Sequence, residues 1–196
     1  MNIPHEDYII TPTQRATQKN QKPLLIWFTG LSGCGKSTLA KNLDVKLFEK
    51  GYHTFSLDGD CIRSGLNKDL GFTPEGRKEN LRRVGEVAKL MLDAGLIVIG
   101  AFISPYREDR LKLQKTVGAN HYFEIFVDTP LGICEERDVK GLYAKARKGE
   151  IENFTGISAP YEAPNRADLR IDNSKWSLDD SLRNILMEVE HRIAKN

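Results

Sequence analysis

The sequence is short of cysteine and of long apolar runs. Its three cysteines, Cys34, Cys61 and Cys134, form no C-x-x-C pair. The odd count does not suggest a disulfide framework, and a reducing compartment is the simplest location. No apolar run approaches the roughly 18 residues that a membrane-spanning helix needs, and the N-terminus lacks the charged-then-apolar pattern of a signal peptide. These absences predict a cytoplasmic protein without a membrane partner.

The chain also lacks a strong charge of either sign. Its 29 lysines and arginines against 27 acidic residues give a formal net charge of +2, which offers no argument for nucleic acid as a partner. At 196 residues the chain fits one domain. Residues 1–22 are polar and are predicted to be a loosely attached tail, with Tyr8, Ile9 and Ile10 as candidates to dock on the body. The folded domain is assigned to residues 23–196.

The strongest signal is a glycine-rich stretch that follows an apolar run at residues 24–28. Residues 30–37 read G-x-x-x-x-G-K-S, which is a phosphate-binding loop (P-loop) between a buried strand and a helix. Glycines let backbone amides converge on a phosphate, and the helix adds its positive end. Lys36 is expected to contact the β- and γ-phosphates of ATP, and Ser37 to bind Mg²⁺. The predicted ATP-binding residues here are Gly30, Leu31, Ser32, Gly33, Cys34, Gly35, Lys36, Ser37 and Thr38.

Strands and helices alternate along the rest of the chain. Apolar runs predict strands at residues 24–28, 53–57, 96–103, 122–128 and 169–172. Helices are predicted at residues 36–50, 75–94, 106–117 and 178–193, with another beginning at Thr129-Pro130. Residues 138–166 look irregular. The βαβα order favours an α/β fold of three layers, a P-loop nucleoside-triphosphate hydrolase-like fold with a doubly wound, mostly parallel five-stranded sheet.

Polar residues at the carboxyl ends of the strands indicate the reaction class, because ligands of such sheets bind there. Asp58 and Asp60 follow the second strand, Ser104 the third and Asp128 the fourth. Asp58 and Asp128 both stay open as water-mediated partners of Mg²⁺. A GTPase is disfavoured, because the nearest guanine-reading string, residues 67–70, fails at its last position and lies too early. A small-molecule kinase is the class that remains.

A kinase needs a second site that holds an acceptor hydroxyl in line with the γ-phosphate. Asp60 and Arg63 lie three residues apart, as do Arg77 and Asn80 at the start of the long helix. Two arginines and an amide suit an anionic acceptor, because guanidinium groups bind oxyanions in a bidentate way. The alternative for the basic residues 77–83 is a solvated helix face.

A basic segment punctuated by glycine follows the fourth strand and its helix. Residues 137–150 carry five cations and two glycines. This composition fits either a mobile surface segment or a lid that closes over the phosphates and excludes water. We favour the lid and place it at about residues 138–157.

Several longer blocks carry a family resemblance. They read F-T-G-L-S-G-x-G-K-S-T at 28–38, L-D-G-D at 57–60, D-L-G-F at 69–72, R-x-E-N-x-R-R-V-G-E-V-A at 77–88, F-I-S-P at 102–105, F-V-D-T-P-L at 126–131, K-G-L-Y-x-K-A-R at 140–147 and N-F-T-G-I at 153–157. Over roughly residues 24–165 the chain therefore resembles the adenosine-5′-phosphosulfate (adenylyl-sulfate) kinase family. The resemblance implies transfer of the ATP γ-phosphoryl group to the 3′-hydroxyl of adenylyl sulfate, giving 3′-phosphoadenylyl sulfate and ADP in sulfate activation.

The resemblance also implies roles for individual residues. Asp60 would contact the acceptor ribose hydroxyl, Phe72 and Phe154 would sandwich the acceptor adenine, and Arg137 would stack on the adenine of ATP. Ser104 is the residue that the family description marks as a phosphoserine intermediate. We favour direct in-line transfer, because no base adjoins Ser104 in sequence. The implied catalytic residues are Lys36, Asp60 and Ser104, and the implied acceptor-binding residues are Asp60, Arg63, Phe72, Arg77, Asn80, Ile103, Ser104, Lys140, Leu142, Phe154 and Ile157.

The chain departs from the family pattern at Cys34, Cys61 and Ser64. Cys34 stands where a small residue is common, at a loop position expected to lie near solvent. We favour a tolerated small side chain there over the alternative, a thiol whose oxidation impedes phosphate binding. Two alternatives stay open: a related kinase for another nucleotide or small anion, and a nucleotide-dependent switch without turnover. The expected partners are small-molecule nucleotides, and a homodimer is a candidate assembly.

Overall fold

The computed structural model of the chain describes residues 9–138 and 140–194. Within these residues, five strands form one parallel sheet in the order β2-β3-β1-β4-β5. Their bounds are Leu24–Thr29 (β1), Thr54–Asp58 (β2), Ile97–Ala101 (β3), Tyr122–Asp128 (β4) and Leu169–Asp172 (β5). The strand order reverses on either side of β1, so the doubly wound sheet is confirmed, and all of its pairings are parallel.

The burial of β1 fits its position at the centre of the sheet. Every residue of β1 is buried, as is every residue of β3, because helices cover both faces of a parallel sheet. One side packs the first of two apolar clusters, which includes Ile26 and Phe28. The other side packs the second cluster, which includes Leu25 and Trp27. The strand β3 is shorter than the predicted run of residues 96–103.

The helices form the two outer layers. The helices α2 and α8 supply buried residues to the cluster with Phe28, and α4 and α5 supply them to the cluster with Trp27. In the described part of the chain the helices are Pro12–Gln18 (α1), Lys36–Glu49 (α2), Gly59–Ser64 (α3), Pro74–Asp93 (α4), Arg107–Val117 (α5), Leu131–Arg137 (α6), Leu142–Arg147 (α7) and Leu178–Ile193 (α8). None of the helices described is both long and apolar enough to cross a bilayer.

The described part of the N-terminal stretch that was expected to be loose packs on the body of the domain. Part of the expected loose tail is helix α1, and its Ala16 is buried against Gly95, whose φ of +81° and close backbone contact leave no room for a side chain. Gln21 is fully buried and bonds the backbone of His53 and Gly95 at the amino end of the sheet. Ile9 is almost fully exposed, so it does not dock, and Tyr8 lies outside the described residues. The division at residues 22 and 23 stays a prediction.

The segment expected to be irregular contains helix α7. Asp138 accepts hydrogen bonds from the backbone amides of Tyr143 and Ala144, both at 3.0 Å, which stabilises the first turn of this helix. These bonds also lower the pKa of the Asp138 carboxyl. Helix α6 begins at Leu131, one residue later than the proline at 130 had indicated.

Candidate active site

The P-loop lies where β1 ends and α2 begins. Gly35 precedes α2 with a φ of +106°, and no side chain caps the helix start in the described structure. The first backbone N–H groups of a helix have no intrahelical partner, so an uncapped start presents them to an anion. The residues Ser32, Gly33, Lys36, Ser37 and Thr38 all line one cavity of about 510 Å³. The loop is therefore arranged to hold phosphates.

Lys36 and Cys34 lie at the base of this loop. The Lys36 ammonium donates to the carbonyl oxygens of Gly30 at 3.0 Å and Leu31 at 2.7 Å. Its side chain also reaches the Cys34 sulfur at 3.7 Å. Cys34 is fully buried, so the expected exposure of its thiol to solvent was wrong: the side chain points under the loop rather than out of it. Oxidation at this position requires the loop to open.

Asn173, which follows the last described strand, supports the loop, and no motif in the sequence had singled it out. Asn173, just after β5, donates to the Cys34 carbonyl at 2.7 Å, and its side chain contacts Gly35 where a Cβ would otherwise stand. Arg137 donates to the carbonyl of Asn173 at 3.1 Å and lies 3.5 Å from that of Gly33. Arg137 thus lies outside the cavity lining and beside the loop. The only available signal was that Asn173 follows a strand at the ligand-binding edge.

The two acidic residues at the end of β2, Asp58 and Asp60, have different roles. Asp58 is the N-cap of α3 and accepts from the backbone amide of Asp60 at 3.0 Å. The Asp60 side chain is consequently left to face the cavity, where it forms an ion pair with Lys140 of the basic segment. This pair joins the predicted catalytic carboxylate to the predicted lid.

Arg63 and Arg77 converge on one aromatic ring. The Arg63 guanidinium lies 4.3 Å from the centroid of the Phe72 ring and Arg77 lies 5.6 Å from it, within the range of cation–π attraction. Arg63 donates to the carbonyls of Leu70 and Gly71, and Arg77 donates to that of Asn153 at 2.9 Å. Burial and mutual repulsion lower the pKa of Arg63, and burial lowers that of Arg77. Two partly desolvated cations beside a cavity fit an anionic ligand.

The other arginines at the start of α4 have a structural role. Arg83 bonds both Asp69 and Glu79, and Arg82 bonds Glu79. These bonds lower the pKa of Glu79 to about 2. The alternative of a helix surface therefore holds for Arg82 and Arg83, whereas Arg77 turns into the cavity.

The turn after β3 is held by a hydrogen-bond cluster. The Ser104 hydroxyl donates to Thr29 Oγ1 at 3.0 Å and accepts from the indole N–H of Trp27 at 3.1 Å. Thr29 in turn donates to the Ile103 carbonyl at 2.8 Å. Ser104 has a φ of +41°, an unfavourable conformation for a residue with a side chain that its surroundings must impose. The Ser104 hydroxyl is therefore engaged in hydrogen bonds that hold the backbone of the turn after β3.

Arg110 connects this turn to β4 and to the loop at Glu162. Its guanidinium is 3% exposed and pairs with Glu124 at 3.0 Å. It also donates to the carbonyl of Ser104 at 2.5 Å and to that of Glu162 at 2.7 Å. Burial raises the pKa of Glu124. No motif singled out Arg110, because two of its three partners, Glu124 and Glu162, lie on other elements further along the chain.

The basic segment packs down onto the P-loop. Tyr143 of α7 is buried, its hydroxyl donates to the Ser32 carbonyl at 2.9 Å, and its ring meets Phe154 edge-on at 5.0 Å. Burial raises the pKa of this hydroxyl well above its usual value. Phe154 is buried, whereas Phe72 is 58% exposed. The segment therefore has a fixed anchor at Tyr143 and a basic exposed side.

The predicted residues fall into three groups by their place in the structure. Most line the single cavity described above, and the acceptor candidates among them are Asp60, Arg63, Phe72, Arg77, Asn80, Ile103, Ser104, Lys140, Leu142 and Phe154. Leu31 and Ile157 line a neighbouring open depression instead. Gly30, Cys34 and Arg137 are not among the residues of either lining.

Oxygen groups at the cavity suit a hard cation. Ser37 and Asp58 both line the cavity, and Mg²⁺ prefers hydroxyl and carboxylate oxygens such as theirs. Asp128 instead forms an ion pair with Arg170, and it does not line the cavity. Of the two acids that the sequence left open, Asp58 is the better placed.

Comparison with known proteins identifies relatives over most of the chain. The Adenylylsulphate kinase family model matches residues 22–172. An adenylyl-sulfate kinase of Shewanella baltica (strain OS185) is 59% identical over 185 residues, covering 94% of this chain and 90% of that protein. One of Marinobacter nauticus is 53% identical over 191 residues, covering 97% and 96%.

Solved structures agree with the fold. The structure of the Mycobacterium tuberculosis APS kinase in complex with AMPPNP and APS has a TM-score of 0.81 and 48% identity, covering 86% of this chain and 98% of that one. A hexameric APS kinase from Thiobacillus denitrificans has a TM-score of 0.67 and 32% identity, covering 88% of this chain and 30% of that one.

Proposed function

The chain belongs to the adenylylsulphate kinase family, and we propose that it transfers the γ-phosphoryl group of ATP to the 3′-hydroxyl of adenylyl sulfate. The products are 3′-phosphoadenylyl sulfate and ADP. The observation that carries this proposal is that one cavity is lined by both the P-loop residues and the set Asp60, Arg63, Arg77 and Asn80. A donor and an anionic acceptor can therefore meet within it.

The arrangement favours direct in-line transfer. The P-loop amides and Lys36 hold the donor phosphates, while Arg63 and Arg77 hold the anionic end of the acceptor. Mg²⁺ bound with ATP would be held by Ser37, with Asp58 near it, and would neutralise phosphate charge. Asp60 faces the cavity and is positioned to accept the hydrogen bond of the acceptor hydroxyl. We assign no covalent step to Ser104, because its hydroxyl already bonds Thr29 and Trp27.

The test is turnover by the purified protein with adenylyl sulfate and MgATP. We expect product from the wild-type protein and a loss of at least about a hundredfold in kcat for Lys36→Ala and for Asp60→Ala. Arg183→Ala, an exposed residue on α8 far from the P-loop in sequence, is the control and is expected to keep full activity. Replacing the acceptor by other adenine nucleotides in the same assay tests the alternative substrate. Absence of product with adenylyl sulfate would refute the proposal.

We infer that the segment of residues 138–157 acts as a lid that couples the two substrates. Its Lys140 reaches Asp60 on the acceptor side, and its Tyr143 reaches the P-loop. If a nucleotide bound at the P-loop orders the segment of residues 138–157, it should therefore raise the affinity for adenylyl sulfate. Calorimetry of adenylyl sulfate binding with and without MgADP measures the effect, and equal affinities would contradict the coupling.

Two further expectations remain proposals. Three free thiols fit a reducing compartment such as the cytoplasm, which fractionation of the source cells would test. A homodimer is the second, and Val45 and Phe48, two apolar side chains exposed on α2, are its candidate contacts. Sedimentation would distinguish it from a monomer or a larger assembly.

A further inference from the structure

Asn67 is a buried polar residue in the turn between α3 and α4. It is fully buried, and its backbone amide donates to the Ile62 carbonyl at 2.9 Å at the end of α3. Its side chain reaches α4, where Nδ2 lies 3.0 Å from Asn80 Oδ1 and 3.4 Å from the Asn80 carbonyl oxygen. Asn67 does not line the cavity, whereas Asn80 does.

The contact fixes which end of the Asn80 amide is free. A backbone carbonyl can only accept hydrogen bonds, so the Asn67 atom that faces the Asn80 carbonyl is its amide nitrogen. The same nitrogen donates to the Asn80 side chain, so the Asn80 atom that accepts this hydrogen bond is Oδ1. The Asn80 amide group consequently turns its N–H donors away from Asn67.

A packing role alone does not account for this residue. Among the described residues, nothing donates to Asn67 Oδ1, although that oxygen is buried. An unsatisfied buried carbonyl is destabilising, and an apolar side chain of similar size would avoid it. We propose that Asn67 is a positioning residue that orients Asn80 as a donor toward the anionic acceptor. This inference rests on the proposed function, because it requires a substrate, adenylyl sulfate, whose oxygens accept hydrogen bonds from Asn80.

The substitution Asn67→Leu separates orientation from stability. It removes the donor that holds Asn80 Oδ1 and also removes the orphaned oxygen, so we expect thermal stability to be kept. The KM for adenylyl sulfate should rise about tenfold, the value of one hydrogen bond to a charged group, while the KM for ATP stays unchanged. Asn67→Asp replaces the hydrogen-bond donor by a carboxylate, which only accepts. The Asn80 amide would then turn its N–H group to residue 67 and its oxygen to the cavity, so the KM for adenylyl sulfate should rise further.

A double-mutant cycle provides the decisive measurement. If Asn67 acts through Asn80, Asn67→Leu in an Asn80→Ala background should leave the acceptor KM of the single Asn80→Ala variant unchanged. Additive effects of the two substitutions would overturn the inference. Gln21→Leu is the control, because it removes a buried amide at the opposite end of the sheet and should not move the acceptor KM. An equal rise in that variant would also overturn it.

The two failures are distinguishable. Product from the wild-type protein together with an additive cycle overturns the role of Asn67 and leaves the proposed function standing. Absence of product from the wild-type protein overturns both.

Discussion

Arg110→Met tests the buried ion pair beneath the acceptor side of the cavity. The guanidinium is 3% exposed and Glu124 is 12% exposed, so methionine would leave a carboxylate without its partner in a poorly solvated place. Breaking a buried pair in this way destabilises proteins by about 3–5 kcal/mol. We expect a loss of about 4 kcal/mol in the free energy of unfolding, or a fall in Tm of roughly 8–16 °C for a chain of this size.

The loss of stability in Arg110→Met should depend on pH. Burial already raises the pKa of Glu124, and loss of the cation raises it further. An acid with a raised folded-state pKa binds more protons when folded, so stability falls as pH rises through the interval between its unfolded and folded values. Arg110→Met should therefore be less destabilised at about pH 5 than at about pH 8.

A second substitution separates stability from positioning. Arg110→Met with Glu124→Leu replaces the pair by apolar side chains and should recover stability to within about 1.5 kcal/mol of the wild type. The KM for adenylyl sulfate should be raised in both variants, because the Ser104 and Glu162 carbonyls lack the Arg110 donor in each. Urea denaturation and steady-state kinetics measure the two effects, and Arg183→Met at the exposed pair with Asp180 is the control. A loss below about 1 kcal/mol in the single variant, or no recovery in the double, would refute this reasoning.

Three further predictions concern single side chains. Cys61 is exposed while Cys34 and Cys134 are buried, and burial raises the pKa of the Cys134 thiol to about 11, so a thiol reagent should label one cysteine in native protein and three in urea. Faster labelling of Cys34 than of Cys61 would contradict the packing of the loop. Ser104→Ala should keep kcat within about tenfold, whereas a covalent relay requires near-complete loss. Lys140→Met, which removes the partner of Asp60, should raise the acceptor KM about fivefold and weaken its dependence on salt.

The fold was predictable because its signals are local. The apolar run of β1, the glycines and lysine of the P-loop, and the apolar stripe of α4 all lie within short stretches of sequence. Parallel strands place their carboxyl ends at one edge, so the sequence could also bring Asp60 and Ser104 to the loop. The structure places both in the cavity.

The remaining features depend on contacts between distant residues. The docking of α1 depends on the space above Gly95, and the burial of Cys34 depends on how the loop folds over it. Asn173 supports the P-loop from far along the chain. The partners of Arg110 lie on β4 and in two separate turns. Periodicity and motif spacing carry no information on such pairings.

The most direct test of the central claim is the position of the new phosphate. Wild-type protein is incubated with adenylyl sulfate and MgATP, and the product is analysed by ³¹P NMR, with a 3′-deoxy acceptor run in parallel. The account predicts one new phosphomonoester on the 3′-oxygen, one ADP for each product molecule, and no phosphorylation of the 3′-deoxy acceptor. Phosphate on another oxygen, or ATP hydrolysis without an acceptor product, would contradict it.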